Sequence, residues 1–399
     1  MACVRETAAL SKEIGLPLHI HWILGLPGED RRQTLATLSL AKELLDDYEA
    51  KPMMQFAFAL PGSEMSGGKP VVPGSFPDPG RANSELQFCP EGVQPGELIA
   101  ARDLIVERAR NHGTRKVIVN LTYRCNNHCQ FCAVGNRLKD DNDLDQVKEI
   151  LLRYRQEGID MLDLDGGEPS LVPGLIELIR WSRKQGFRSV NVTTNGRALA
   201  YEDYAMRLMK SGLTNLLISI HGSTAKIHEW HTQVPGSFAQ TARGIVNAVK
   251  HAPDGVDVGI NTTVTTQNLD SLEDMMEFVS RFAVKTVNFQ FLTPFGRASK
   301  AMVPDPQKGA AIVSRIIERW KDKLKIQVIN LPYCYAPGYE EYLASDVGKL
   351  SRNMVFVSQE EVNLFDYLKG TRIKDQDCVE CLLLGGCDGK YNFEGESHA

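Results

Sequence analysis

The sequence predicts an α/β protein organised around a parallel sheet, with a small cysteine-rich extension at its C-terminal end. Three observations carry this. From residue 117 onward, β-branched runs alternate six times with apolar residues at helical spacing. Gly186 and Gly212 stand where the second and third of those helices should stop. Polar residues gather directly after the strands, where parallel sheets place their chemistry. Such alternation implies right-handed βαβ units. Six units fit either an open doubly wound sheet or an incomplete barrel, and periodicity does not separate the two.

The elements follow in order. The first residues carry one strand (LHIHWILGLPG, 18–28), one helix (TLATLSLAKELL, 34–45) and a second strand (MQFAFALPG, 54–62), which together are less than a domain. Gly25, Pro27 and Gly28 shape a turn. Residues 61–97 are rich in Gly, Pro and Ser and read as a linker or irregular loop. VIVNLT (117–122) then leads through a cysteine loop into a helix bearing Val147, Ile150, Leu151 and Tyr154. MLDLDG (161–166) precedes Leu175, Leu178 and Ile179; SVNVTT (189–194) precedes Ala205, Leu208 and Met209. NLLISI (215–220) precedes Phe238, Ile245 and Val249. DVGINTTVT (257–265) precedes Leu272, Met275, Met276 and Val279, with Asp270 and Glu273 spaced as a capping box. TVNFQFL (286–292) precedes Ile312, Ile316 and Trp320.

Composition is that of a globular protein: 43% apolar, 24% charged, net charge −5. Without a dense Lys/Arg stripe there is no electrostatic ground for a nucleic-acid partner. No apolar run approaches the roughly 20 residues that span a bilayer. MACVRETAALSKE lacks the order of a signal peptide, so a cytoplasmic location is expected, with no membrane partner.

Nine cysteines in a reducing compartment point to metal chemistry rather than disulfides. Seven fall in two groups: Cys125, Cys129 and Cys132, then Cys334, Cys378, Cys381 and Cys387. Cys3 and Cys89 stand alone and are expected to be buried small hydrophobes. In TYRCNNHCQFC (122–132) the spacing is x3 then x2. Three thiolates so placed can hold three irons of a [4Fe–4S] cubane, leaving one iron for a small molecule. The same loop could hold structural zinc with His128 as the fourth ligand, and on the loop alone the two stand level. Context favours iron, because a structural zinc needs neither a GGEP turn after the next strand nor a ring of polar strand ends: TTNG, SIHG, NTT and TPFG.

Taken together, Cys125, Cys129, Phe131 and Cys132, followed by Gly166-Gly167-Glu168-Pro169, resemble the radical S-adenosylmethionine (SAM) superfamily over roughly residues 115–295. The resemblance implies a partial (β/α)6 TIM barrel in which the three cysteines carry the catalytic cluster. SAM binds its open iron and is cleaved to a 5′-deoxyadenosyl radical that abstracts hydrogen from a substrate. It implies contacts of Phe131 with the adenine, and of Gly166, Gly167 and Glu168 with the methionine ammonium through backbone carbonyls. Thr194, Asn195 and Ser219 would meet the methionine carboxylate and ribose, and Thr293 the adenine through its backbone. Asn261 and Thr263, at alternate positions of the fifth strand, join this set, and His221 belongs to a stretch that lines the substrate side in similar families. Each also has an ordinary reading: Thr194 as a strand-end residue bonding the next turn, Asn195-Gly196 as a turn dipeptide. His228 and His231 are read as solvated residues of an exposed helix start. A low-potential electron donor of flavodoxin or ferredoxin type is the implied partner.

Cys378, Cys381 and Cys387 (C-x2-C-x5-C), with Cys334 upstream, resemble a shortened SPASM or twitch-like extension holding one auxiliary [4Fe–4S] cluster. Tyr391 stands where a further cysteine would complete that pattern. A four-thiolate zinc site is the rival reading. The first strand–helix–strand is similar to the tail of a cobalamin-type radical SAM barrel, so it is expected to pack as an accessory layer or to be the downstream piece of a larger or split enzyme. The expected organisation is a partial α/β segment at 1–65, linker and helix at 66–114, the core barrel at 115–325 and the auxiliary-cluster extension at 326–399. A peptide is the first expectation for the substrate. A small molecule in cofactor or secondary-metabolite synthesis, as for molybdopterin-precursor synthases, is the alternative, and a non-catalytic zinc scaffold the reading from another class.

Overall fold

The structure, a computed structural model, describes residues 2–60, 63–66 and 86–393. Residues 61–62 and 67–85 of the Gly/Pro-rich stretch lie outside the described residues. The chain forms two units: residues 1–112, 345–348 and 374–389 make one, and 113–344, 349–373 and 390–399 the other.

In the first unit, helix α1 (Ala2–Glu13) precedes β1 (His19–Leu24), α2 (Arg31–Tyr48), β2 (Lys51–Phe56) and α3 (Pro95–Asn111). β1 and β2 pair in parallel, joined by a crossover through α2. Asp30 and Gln33 close a capping box on α2. Ala8, Leu40, Leu44 and Ala50 form a small buried cluster. Cys3 and Cys89 are exposed, contrary to expectation. An isolated cysteine carries no periodicity that could place it on a covered face.

The second unit holds a ten-stranded sheet. Its strands are β3 (Lys116–Asn120), β4 (Met161–Asp165), β5 (Ser189–Thr194), β6 (Asn215–Ser219), β7 (Asp257–Val264), β8 (Thr286–Phe291), β9 (Lys325–Ile329), β10 (Leu343–Ala344), β11 (Arg352–Val355) and β12 (Glu361–Asn363). Their order is β10-β9-β8-β7-β6-β5-β4-β3-β11-β12, parallel throughout except for the β11–β12 pair. The edge strands each pair once among the described residues, so the sheet is open rather than a closed barrel. Helices α4 (Leu144–Gln156), α5 (Leu175–Lys184), α6 (Glu202–Met209), α7 (Ala225–Thr232), α8 (Ser237–His251), α9 (Leu272–Val279) and α10 (Pro306–Trp320) occupy the crossovers.

Alternation sorts the two faces of each strand. Leu162 and Leu164, Val190 and Val192, and Leu216 and Ile218 are fully buried. Each such side chain contributes roughly 1.5–3 kcal/mol. The intervening positions are mostly polar (Asp163 and Asp165, Asn191 and Thr193, Asn215 and Ser219), with Met161 and Leu217 as the apolar exceptions. The six strands read from sequence coincide with β3 to β8 within two residues at either end. The capping box at Asp270 and Glu273 does not form: a 3-10 turn, Leu269–Ser271, precedes α9 and shifts its start. Asp270 and Glu273 instead pair with Lys308 and Arg315 of α10.

Candidate active site

The loop bearing Cys125, Cys129 and Cys132 leaves the end of β3 and is held from three sides. From β4, Gly167 N–H donates to Thr122 O at 2.6 Å and Glu168 N–H to Arg124 O at 2.9 Å. A Cβ on Gly167 would stand 2.3 Å from Arg124 O, so only glycine admits this approach. From α7, Thr232 O and His231 O accept from His128 N–H and Gln130 N–H at 2.9 and 3.1 Å. From the turn after β8, Arg297 N–H donates to Cys132 O at 3.0 Å, and a Cβ on Gly296 would stand 2.2 Å from that same oxygen. Thr293 opens this turn, its carbonyl accepting from Phe295 N–H at 2.9 Å.

The three cysteines are half-buried as residues. Burial pushes the Cys125 thiol up to about 11, and the Cys129 thiol is raised by burial and by its two sulfur neighbours. Two crowded thiols that resist ionisation alone suit a ligand set whose charge is met by bound cations. N–H groups already point at one sulfur: Asn127 N–H donates to Cys125 Sγ at 3.3 Å and Asn195 Nδ2 at 3.8 Å, as around Fe–S thiolates. Among the described residues, no three His, Cys, Asp or Glu side chains close round a single ion.

Glu168 is fully buried and serves as a hub. Its Oε1 accepts from Thr194 Oγ1 at 2.6 Å and Ser170 N–H at 3.0 Å, and its Oε2 from Asn195 N–H at 2.7 Å. The carboxylate thereby ties the end of β5 to the GGEP turn. Thr194 Oγ1 also accepts from Gly196 N–H at 3.1 Å, which is the strand-end role open to it from sequence. Asn195 Nδ2 reaches Asn126 Oδ1 at 2.6 Å, while Arg197 donates to Asn126 O and to Asn127 Oδ1. Arg197 carried no sequence signal beyond its place one residue after TTNG.

The second cluster is imidazole. Phe131 meets His221 edge-on with centroids 4.8 Å apart, and His231 at 5.8 Å. His221, His228 and His231 are buried, so the solvated reading of the last two is wrong. The i, i+3 spacing could not show that this helix face packs under the strand ends. His221 N–H donates to His228 Nδ1 at 3.1 Å, and Thr263 N–H to His221 Nδ1 at 3.3 Å. His231 Nδ1 lies 2.7 Å from Ile227 O, which can only accept, so Nε2 is left to accept from Thr265 Oγ1 at 2.8 Å. Burial, and then the neighbouring imidazoles, hold His221 well below its usual range and His228 down to about 3. Burial lowers His231 as well, against the opposing pull of the Ile227 carbonyl.

Ser219, Asn261 and Asn288 share one row across β6, β7 and β8, with Thr263 and Gln290 in the next. Asp165, beside Asn120 across β3 and β4, is pushed up to about 6 by burial. The structure thus brings Cys125, Cys129, Phe131, Cys132, Gly167, Glu168, Thr194, Asn195, His221 and Thr263 together through hydrogen bonds and ring contacts, and it sets Gly166 against the Thr122 carbonyl, where a Cβ would stand 2.4 Å from the oxygen. Ser219 and Asn261 lie at neighbouring strand ends, and Thr293 at the base of the turn that holds Cys132. Of the C-terminal cysteines, Cys378, Cys381 and Cys387 belong to the first unit and the exposed Cys334 to the second. Tyr391 packs its ring 3.6 Å under the Arg372 guanidinium and donates to Asn330 Oδ1 at 3.3 Å.

Residues 119–279 match the Radical SAM superfamily. An AdoMet-dependent heme synthase of Nitratidesulfovibrio vulgaris is 30% identical over 222 residues, 55% of this chain and 59% of that protein. A probable GTP 3′,8-cyclase of Saccharolobus solfataricus is 29% identical over 224 residues, 55% and 69% of the two chains. The chain thus spans little more than half the length of the heme synthase it matches. Streptococcus suis SuiB, solved with bound S-adenosylmethionine, superposes with a TM-score of 0.55 at 16% identity over 78% of this chain and 81% of its own. That likeness establishes the same fold.

Proposed function

We propose that this chain, whose residues 119–279 are a radical SAM domain, is an enzyme that reductively cleaves SAM and uses the product to abstract hydrogen from a substrate. The observation that carries the reading is the cysteine loop locked between the GGEP turn, α7 and the TPFG turn. Cys125, Cys129 and Cys132 would hold a [4Fe–4S] cluster. When bound, such a cluster would supply the electron for reductive cleavage of SAM and so the means of abstracting hydrogen from a substrate. The chain's own residues position and exclude. Glu168 keeps Asn195 beside Cys125, and Arg197 fixes the Asn126 backbone. Neutral His221, buried edge-on to Phe131, accepts from Thr263 N–H at Nδ1 and so carries its proton on Nε2. A low-potential flavodoxin or ferredoxin-like donor supplies the electron, and the setting is cytoplasmic. Cys378, Cys381 and Cys387 would hold a second cluster.

A peptide is the first reading for the hydrogen donor, supported by the C-terminal cysteines. The heme synthase and GTP cyclase relatives favour a second reading, a small molecule. Formation of 5′-deoxyadenosine, measured with and without each candidate, separates them. Stimulation by a precursor peptide encoded beside this chain supports the first, and stimulation by a tetrapyrrole or nucleotide alone overturns it.

A further inference from the structure

The N-terminal segment is built around the C-terminal cysteine stretch. Residues 374–389 fold within the same unit as α2 and α3. The stretch consists of two short 3-10 turns, Gln376–Cys378 and Leu382–Gly385, which are too short to hold themselves. Leu382 and Leu383 are buried. The Gly385-Gly386 pair that precedes Cys387 lies directly on α3: a Cβ on Gly386 would stand 2.8 Å from Leu104 Cβ and 2.5 Å from its Cδ2. Arg108, 3% exposed, donates to Gly385 O at 3.4 Å while its guanidinium is fixed by Asp46 at 2.6 and 2.8 Å. At the other end, Arg31 donates to Glu380 O, between the first two cysteines, at 3.1 Å. Arg31 is itself held by Glu97 through two bonds of 2.9 and 2.5 Å.

We propose that the N-terminal segment is the scaffold of the second iron–sulfur centre. Leu104 and Arg108 of α3 press Cys378, Cys381 and Cys387 into their ligating turns, and Arg31 is a positioning residue that sets the charge beside Cys381. This rests on reading those cysteines as cluster ligands. Backbone order is what a cluster demands of its ligands, because three sulfurs must face one body at once. The Gly-Gly step lets the chain pass so close to Leu104 that any side chain would lift Cys387 away. The Arg31 guanidinium favours the more negative, reduced form of a neighbouring cluster.

The test uses the full chain, reconstituted anaerobically, with iron and acid-labile sulfide counted per chain and the reduced protein followed by electron paramagnetic resonance. Cys378→Ala sets the reference: it should remove about four of about eight irons. If it removes none, the cluster reading fails, and this inference with it. Gly386→Val should remove the same share while the barrel's signal still responds to added SAM. Full iron in Gly386→Val, with Cys378→Ala depleted, overturns the scaffold alone. Should the valine variant not fold, Arg108→Lys, which keeps the charge opposite Asp46, should still lower occupancy of the second centre, and unchanged iron counts against the proposal. Arg31→Gln should keep its iron and move that centre's midpoint potential to more negative values. An unmoved potential refutes the role given to Arg31.

Discussion

Replacing Glu168 by Gln changes one oxygen to an amide and leaves volume intact, so it isolates the hub's electrostatics. In the wild-type chain the buried carboxylate accepts from Thr194 Oγ1, Ser170 N–H and Asn195 N–H. Glutamine can keep the first two as neutral bonds at about half their charge-assisted strength. Its NH2 then faces Asn195 N–H, which loses its acceptor in a buried place at a cost of about 1–3 kcal/mol. Adding about 0.5–1 kcal/mol for each weakened bond gives a loss of about 2–5 kcal/mol. Denaturant titration followed by tryptophan fluorescence reads this, since Trp181, Trp230 and Trp320 all belong to the barrel unit. Because Asn195 would loosen beside Cys125, SAM affinity should fall in step. A variant that keeps its stability within about 0.5 kcal/mol but loses SAM binding would refute the hub and mean that the carboxylate meets the ligand directly.

Gly167→Ala should push the Arg124 backbone aside by about 1 Å, since its Cβ would start 2.3 Å from Arg124 O. A shift of that size costs about 100-fold in rate, read as 5′-deoxyadenosine formed per minute, and near-normal turnover would disprove the cradle. The imidazole cluster predicts acid sensitivity. His228 is held down to about 3, below an unfolded value near 6.5, so the unfolded chain takes up its proton first. The stability His228 contributes is complete above that unfolded value and drains as pH falls toward 3, by about 1.4 kcal/mol per pH unit. His228→Leu should flatten the fall between neutral pH and pH 5.5, and an unchanged slope would contradict a buried neutral ring.

Much of the fold is legible in the sequence because short β-branched and apolar runs take turns with segments whose apolar residues repeat at the helical period. β10, two residues long, and β11, without an apolar run, carry no such pattern and exist through their neighbours in the sheet. At the site, residue types spoke where chemistry restricts them, as at the cysteines and GGEP. What stayed hidden depends on chain crossings. Glu168 becomes a hub only when TTNG arrives beside it. His228 and His231 are covered only because α7 turns its face inward. The link between Gly386 and Leu104 joins residues far apart in sequence, and no spacing rule reaches across that distance.

The most direct test of the account is reductive cleavage of SAM. The chain, reconstituted with iron and sulfide without oxygen and then reduced, is given SAM, and 5′-deoxyadenosine is quantified beside bound iron and zinc. The account predicts iron with labile sulfide, 5′-deoxyadenosine formation, and its disappearance in Cys129→Ala. Zinc in place of iron, or 5′-deoxyadenosine that persists in Cys129→Ala, would contradict it.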